Sequence, residues 1–101
     1  MKVIGPRDWK TNLIYRVADL KIPDTVTIVC LTTDSTFLYR LKLLRAAVER
    51  GDTIYIFSLT SEAELRNNPY VQRVIQDHPV SFVQGTKEVL HDRLRADFGP
   101  R

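Results

Sequence analysis

The sequence predicts an α/β fold: a single small doubly wound domain with helices on both faces of a parallel sheet. TVTIVCL at 25–31 and TIYIFSL at 53–59 are short apolar runs rich in β-branched residues, which is typical of strands buried on both faces. Two such strands joined by a long helix run parallel, and their crossover is expected to be right-handed. Between them, apolar side chains recur at helical spacing: Phe37, Leu41, Leu44 and Val48, widened by Leu38 and Ala47.

Composition is that of an ordinary globular domain. The 101 residues, 44% hydrophobic and 27% charged, predict one domain spanning 1–101. No apolar run approaches the ~18 residues of a membrane span, and the start of the chain lacks a signal-peptide pattern. We therefore expect a cytoplasmic protein with no membrane partner. The formal charge of +3 permits nucleotide or nucleic-acid partners without requiring them.

Local signals place the elements on the N-terminal side of this central unit. MKVI at 1–4 predicts a first strand, which Gly5 and Pro6 end. Asp8 is positioned to cap a helix, and Asp34 to cap the central one. Gly51 stands where a left-handed C-cap usually falls.

Comparable signals place the remaining elements. Ser61 with Glu64 three residues later is a capping-box pattern, and Pro69 interrupts the helix that follows. VSFV at 80–83 predicts a short fourth strand, and a last helix opens at Gly85 and Thr86. Strands and helices thus alternate along the chain. We expect about four parallel strands in the order 3-2-1-4.

A ligand crevice is expected at the carboxyl ends of the strands, where the strand order reverses. In the order 3-2-1-4 this point lies between strands one and four, so that the loops 5–8 and 84–87 meet there. Each loop contains a glycine and precedes a helix N-terminus, which favours an anion, and Arg7 and Lys87 add positive charge. The alternative is that these glycines and caps only end strands and start helices.

Several stretches resemble one family. MKVIGPRDW resembles the opening of small domains of the SLOG superfamily, a Rossmann-like group that includes DprA-like and lysine-decarboxylase-like (LOG) proteins. LRAAVERGDTIYIF is similar to their second helix and third strand. Leu65-Arg66-Asn67, followed by VQRVIQDHPVSFVQGT, is similar to their Arg-Asn motif, methionine-bearing helix, fourth strand and glycine loop. The resemblance implies a Rossmann-like core and a pocket for nucleotides or nucleotide derivatives. By position, this pocket would be formed by Gly5, Arg7, Asp8, Arg66, Asn67, Gly85 and Thr86.

The chain departs from the family pattern in its loops. Where the family has a glycine-rich loop after strand two, this chain has Leu31, Thr32, Thr33, Asp34 and Ser35. Either the hydroxyls of Thr32, Thr33 and Ser35 donate hydrogen bonds in place of the backbone, or the family's pocket is absent from this chain. This loop is the most polar strand end in the chain, and so a second candidate site. Glu88 lies near the family's catalytic glutamate but outside its pattern. With no complete catalytic constellation, we expect a nucleotide-binding sensor or accessory domain rather than an enzyme, with no cofactor identified.

The alternative function is a nucleic-acid-binding or protein-interaction module. Its surface would be the basic helix at 35–50, which carries Arg40, Lys42, Arg45 and Arg50. Such residues also form ordinary solvated helix surfaces. A homo-oligomer through an outward sheet or helix face is a third alternative. Neither His78 nor His91 has a partner at metal-ligand spacing, and Cys30 is expected in the core, so no metal site is predicted.

Overall fold

The computed structural model describes residues 1–99, which alternate between strands and helices as the sequence predicts. The four strands are β1 (Lys2–Ile4), β2 (Val26–Cys30), β3 (Thr53–Ser58) and β4 (Val80–Gln84). The five helices within these residues are α1 (Arg7–Arg16), α2 (Phe37–Glu49), α3 (Glu62–Asn67), α4 (Pro69–Ile75) and α5 (Lys87–Phe98). The α/β class and the parallel sheet are therefore confirmed.

The strand order is 1-2-3-4, so the predicted order 3-2-1-4 is wrong. Each strand pairs in parallel with the next one along the chain, with Val3 opposite Ile28, Ile28 opposite Tyr55 and Tyr55 opposite Ser81. The strands β1 and β4 are the two edges of the sheet. Strand order depends on where a strand docks after a long crossover, and the local patterns that define the strands are the same in both orders.

A separate apolar core covers each face of the sheet. On one face, Leu13 of α1 and Leu90 and Leu94 of α5 pack against Ile28 and Phe57. On the other, residues of α2, α3 and α4 pack against the alternate strand positions; they include Leu41, Leu44, Leu65, Val71 and Ile75. Helices on both faces are thus confirmed. Leu38, expected to widen the inward stripe of α2, is instead 57% exposed.

The crossovers do not all have the same hand. The strands advance in one direction across the sheet, yet α1 covers one face and α2 covers the other. The connections β1–α1–β2 and β2–α2–β3 therefore have opposite hands. Since right-handed crossovers account for about 98% of such connections, one of these two is an exception.

A buried carboxylate joins the amino ends of three strands. Asp52, which precedes β3, is 5% exposed and accepts a hydrogen bond from Thr27 Oγ1 at 2.9 Å. Its Oδ2 lies 3.0 Å from Arg50 Nη2 and 3.8 Å from Lys2 Nζ. Burial opposes its ionisation, but the hydrogen bonds from Thr27 and Arg50 and the charges of Arg50 and Lys2 hold the pKa of Asp52 below its ordinary value. His78 Nε2 lies 2.7 Å from the backbone oxygen of Asp52, which is a structural contact.

Candidate functional site: a cleft between β1 and α2

The loops after β1 and β2 leave the sheet toward opposite faces. The first leads into α1 and the second into α2, and these helices cover different faces. A crevice forms at the carboxyl ends of strands where neighbouring loops diverge in this way. One switch point of this sheet therefore lies between strands one and two.

A similar divergence follows β3 and β4, which lead to α3 and α5 on opposite faces. There the side chain of Gln84 spans the gap, and its Nε2 donates to the backbone oxygen of Leu59 at 3.0 Å. The predicted crevice between strands one and four is not formed, since β2 and β3 separate those two edges. Gly5 and Gly85 therefore do not face each other across neighbouring strands.

An open cleft of about 250 Å³ lies along β1, between α1 and α2. Its base is the β1 strand and the following Gly5, Lys10 reaches it from α1, and α2 supplies the opposite wall. The lining residues are Val3, Ile4, Gly5, Lys10, Thr36, Tyr39, Arg40 and Leu43. Two cations and an exposed tyrosine ring therefore surround a partly apolar space.

Arg40 is the unusual residue of this cleft because it is buried without an ion pair. Only 8% of it is exposed, and no carboxylate oxygen of residues 1–99 lies within 4.0 Å of its guanidinium. Its Nη1 donates to the Cys30 backbone oxygen at 3.3 Å and to Thr32 Oγ1 at 3.2 Å. Its Nε and Nη2 have no acceptor in that part of the chain. Since buried arginines are rarely left unpaired, an anion that accepts from these two nitrogens would supply the partner that the described residues do not.

The polar loop after β2 is organised around Asp34. Its carboxylate accepts hydrogen bonds from the Thr36 hydroxyl, the Thr36 backbone N–H at 2.8 Å and Thr32 Oγ1 at 2.8 Å. The bonds from Thr36 and Thr32, with the nearby charge of Arg40, lower the pKa of Asp34 to about 2. Near neutral pH, Asp34 is therefore a fixed anion rather than a general base. Thr32 links Asp34 to Arg40, because its hydroxyl accepts from Arg40 and donates to Asp34.

The helix α2 begins two residues later than a cap at Asp34 predicts. Thr36, and not Asp34, is the residue that precedes α2, and it makes no side-chain cap. Asp34 instead closes a turn just before the helix, with its backbone oxygen accepting from the Phe37 N–H at 3.1 Å. Thr33 and Ser35 are exposed in the same turn and do not line the cleft. Of the four polar residues predicted here, Thr32 binds Arg40 directly and Asp34 binds Thr32.

Gly5 has a packing role. A Cβ atom there would lie 2.7 and 2.9 Å from two ring carbons of Trp9 and 3.1 Å from the Cys30 Cβ. Arg7 and Asp8 follow in the exposed first turn of α1. That helix begins after Pro6 without a side-chain cap, so the predicted capping by Asp8 is wrong. Neither side chain lines the cleft.

The remaining predicted residues lie on the β3–β4 side and make local contacts. Arg66 Nε donates to Glu62 Oε2 at 2.7 Å, and its guanidinium carbon lies 4.6 Å from the centroid of the Phe82 ring. Asn67 ends α3 and is exposed. Gly85 has a φ of +130°, and Thr86 caps α5 by accepting from the Val89 N–H at 3.4 Å. The structure therefore does not bring these residues to Arg40.

The basic helix divides into a buried arginine and an exposed surface. Arg40, predicted to lie on the basic surface, faces inward instead. Lys42 and Arg45 are exposed, and Arg45 Nε lies 3.7 Å from Glu49 Oε2. Arg50 is bound to Asp52. The inward orientation of Arg40 was readable from the sequence, since Arg40 lies three residues after Phe37 and four before Leu44 on the inward stripe of α2.

Sequence reasoning missed Lys10, Tyr39 and Leu43 as cleft residues. They come from two helices on opposite faces, so no local pattern in the chain connects them. Cys30 is buried as predicted, and burial raises the pKa of its thiol, which disfavours the thiolate. Among residues 1–99, no three histidine, cysteine, aspartate or glutamate side chains are placed to hold a metal ion.

Comparisons with known proteins add no relative: no family model, curated protein or solved structure matches the chain. The resemblance to the SLOG superfamily stays a prediction from the quoted motifs. Within the described part of the chain, no helix has the length and apolar character needed to cross a membrane.

Proposed function

We propose that this domain binds a small phosphate-bearing ligand, a mononucleotide or a derivative of one, in the cleft between β1 and α2. It would serve as a sensor or accessory domain rather than as an enzyme. The observation that carries the proposal is Arg40, a buried residue that lines the cleft and whose guanidinium has no carboxylate oxygen of residues 1–99 within 4.0 Å. A phosphate would supply the missing negative charge and accept hydrogen bonds from Nε and Nη2.

The surroundings of Arg40 fit the two ends of a nucleotide. Lys10 reaches the same cleft from α1 and adds a second positive charge for the phosphate. Tyr39, which is 64% exposed, and Leu43 offer an aromatic and an apolar surface for a base. Stacking on an aromatic ring contributes about 1–3 kcal/mol per base.

The size of the cleft limits the ligand. Its volume of about 250 Å³ lies just below the range of roughly 300–1,000 Å³ of drug-sized ligand pockets. A mononucleotide with its base partly in solvent fits this space better than a dinucleotide does.

Thermal unfolding tests the proposal with inorganic phosphate, mononucleotides and cyclic dinucleotides as probes. A mononucleotide at 100-fold its Kd should raise the Tm by on the order of 10 °C. Lys10→Glu should abolish most of this rise, and Lys21→Glu, the same charge change on an exposed residue outside the cleft, should leave it intact. The absence of a response to every probe would overturn the proposal.

Arg40→Met separates binding from folding. If Arg40 is retained for an anion, its replacement should abolish the ligand response while the free protein stays as stable as before or gains stability, because a buried unpaired charge is removed. Urea unfolding measures that stability. A large loss of stability in Arg40→Met would instead assign Arg40 a structural role.

A further inference from the structure

A second surface lies between α2 and α4, away from the cleft. This α2–α4 groove, of about 200 Å³, shares no lining residue with the cleft. It is lined by Leu38, Leu41, Lys42, Arg45, Tyr70, Arg73 and Val74. The two helices are packed side by side on one face of the sheet, so the groove faces away from the core.

The groove exposes large apolar side chains that the fold leaves uncovered. Leu38 is 57% exposed and Tyr70 is 51% exposed. The groove continues past these two residues to Asn68 and Thr33 near the start of α2. From residue 37 to residue 45, α2 would border it for about 12 Å, or roughly two helical turns. That length matches a short helical segment of a partner.

The rim of the groove is positively charged. Lys42, Arg45 and Arg73 line the part between α2 and α4, where no carboxylate lies; Asp34 lines only the far end, beside Thr33. Lys42 and Arg73 have no ion-pair partner within residues 1–99. The pair of Arg45 with Glu49 joins two side chains that are each 69% exposed, so water competes with it strongly. The guanidinium of Arg73 lies over the Tyr70 ring, 5.9 Å from its centroid.

We propose that the α2–α4 groove docks an acidic amphipathic helix of a partner protein. Apolar side chains of that helix, spaced one turn apart, would cover Leu38 and Tyr70, and its carboxylates would pair with the cationic rim. A nucleic acid would pair with the cations but bring no aliphatic side chain to cover Leu38. A second copy of this chain would place the cationic rim against itself across a two-fold axis, which is unfavourable.

Fluorescence anisotropy with defined probes tests this proposal. The first probe is a labelled peptide of about 14 residues, in which leucine recurs every third or fourth position and glutamate fills most others. The second has the same composition in scrambled order, and the third is an oligo-dT of about 15 nucleotides. We expect the patterned peptide to bind, and the scrambled peptide and the oligonucleotide to bind at least about tenfold more weakly.

Variants locate the binding. Lys42→Glu and Arg73→Glu should each weaken binding of the patterned peptide by about tenfold, and Leu38→Ala by about fivefold. Lys21→Glu makes the same charge change outside the groove and should leave the affinity within about twofold. Preferential binding of oligo-dT would assign the surface to nucleic acid instead. Equal binding of the scrambled peptide, an equal loss in Lys21→Glu, or no binding of any probe would also overturn the proposal.

Discussion

Arg40 and Asp52 are the two charged residues that the fold buries within residues 1–99, and their surroundings differ. Asp52 has cationic partners in Arg50 and Lys2 as well as a hydroxyl donor. Arg40 has two neutral acceptors and an indirect link to Asp34 through Thr32. The charge of Asp52 is therefore compensated by the fold itself. The charge of Arg40 is only partly compensated, which is why we assign it to ligand binding.

Gly5 shows how a residue proposed for a ligand site can instead be required by packing. The sequence indicates a glycine between a strand and a helix, and close approach of a phosphate is one reason for such a glycine. The structure supplies another, since the Trp9 ring occupies the space beside it. Trp9 in turn stacks on Phe57, with ring centroids 5.5 Å apart. Only the position of Trp9 in space distinguishes these two explanations.

Gly5→Ala should therefore destabilise the protein, because the added methyl group would overlap the Trp9 ring and press on the Cys30 Cβ. We expect a loss of about 1–3 kcal/mol in the free energy of unfolding, measured by urea denaturation. A smaller side chain at position 9 should relieve the overlap. In a double-mutant cycle, Gly5→Ala should thus cost much less in the Trp9→Leu background. An equal cost in both backgrounds would contradict this account.

Helix boundaries followed from short-range signals in the sequence. Ser61 caps α3 as predicted, its Oγ accepting from the Glu64 N–H at 3.2 Å. Pro69 interrupts the helix as predicted and becomes the first residue of α4. Gly51 has the expected positive φ of +79°. Each of these features depends on residues fewer than five positions apart, so sequence was sufficient to predict them.

Asn68 is the single residue between the end of α3 and the start of α4. Its Oδ1 accepts from the backbone N–H of Tyr70 at 2.9 Å and of Val71 at 3.3 Å. Asn68→Ala should cost about 1 kcal/mol in the free energy of unfolding, since both N–H groups lose their acceptor. Asn68→Asp retains the acceptor and should cost far less. Thermal unfolding of both variants checks this, and equal losses would argue against a capping role.

The arrangement of the whole sheet depends on contacts that no local pattern encodes. The strands β1 and β4 have three and five residues, and their local sequences do not specify an edge or a central position. The hand of the first crossover, opposite to that of the second, is decided by which face α1 covers. The place where the crevice forms depends on both the strand order and the hand of the first crossover. For this reason the sequence predicted the elements and part of the polar loop after β2 but misplaced the crevice.

Native-state hydrogen exchange distinguishes the observed strand order from the one that the sequence indicated. In the order 1-2-3-4, β2 and β3 each pair on both sides, and every residue of β2 is buried. Their amides should exchange only through global unfolding, with a free energy equal to that from urea denaturation. The three-residue strand β1 pairs on one side only and should exchange at least about tenfold faster through local opening. In the order 3-2-1-4, β1 would instead be central and β3 an edge. Greater protection of β1 than of β3 would therefore contradict the observed sheet and, with it, the cleft between β1 and α2.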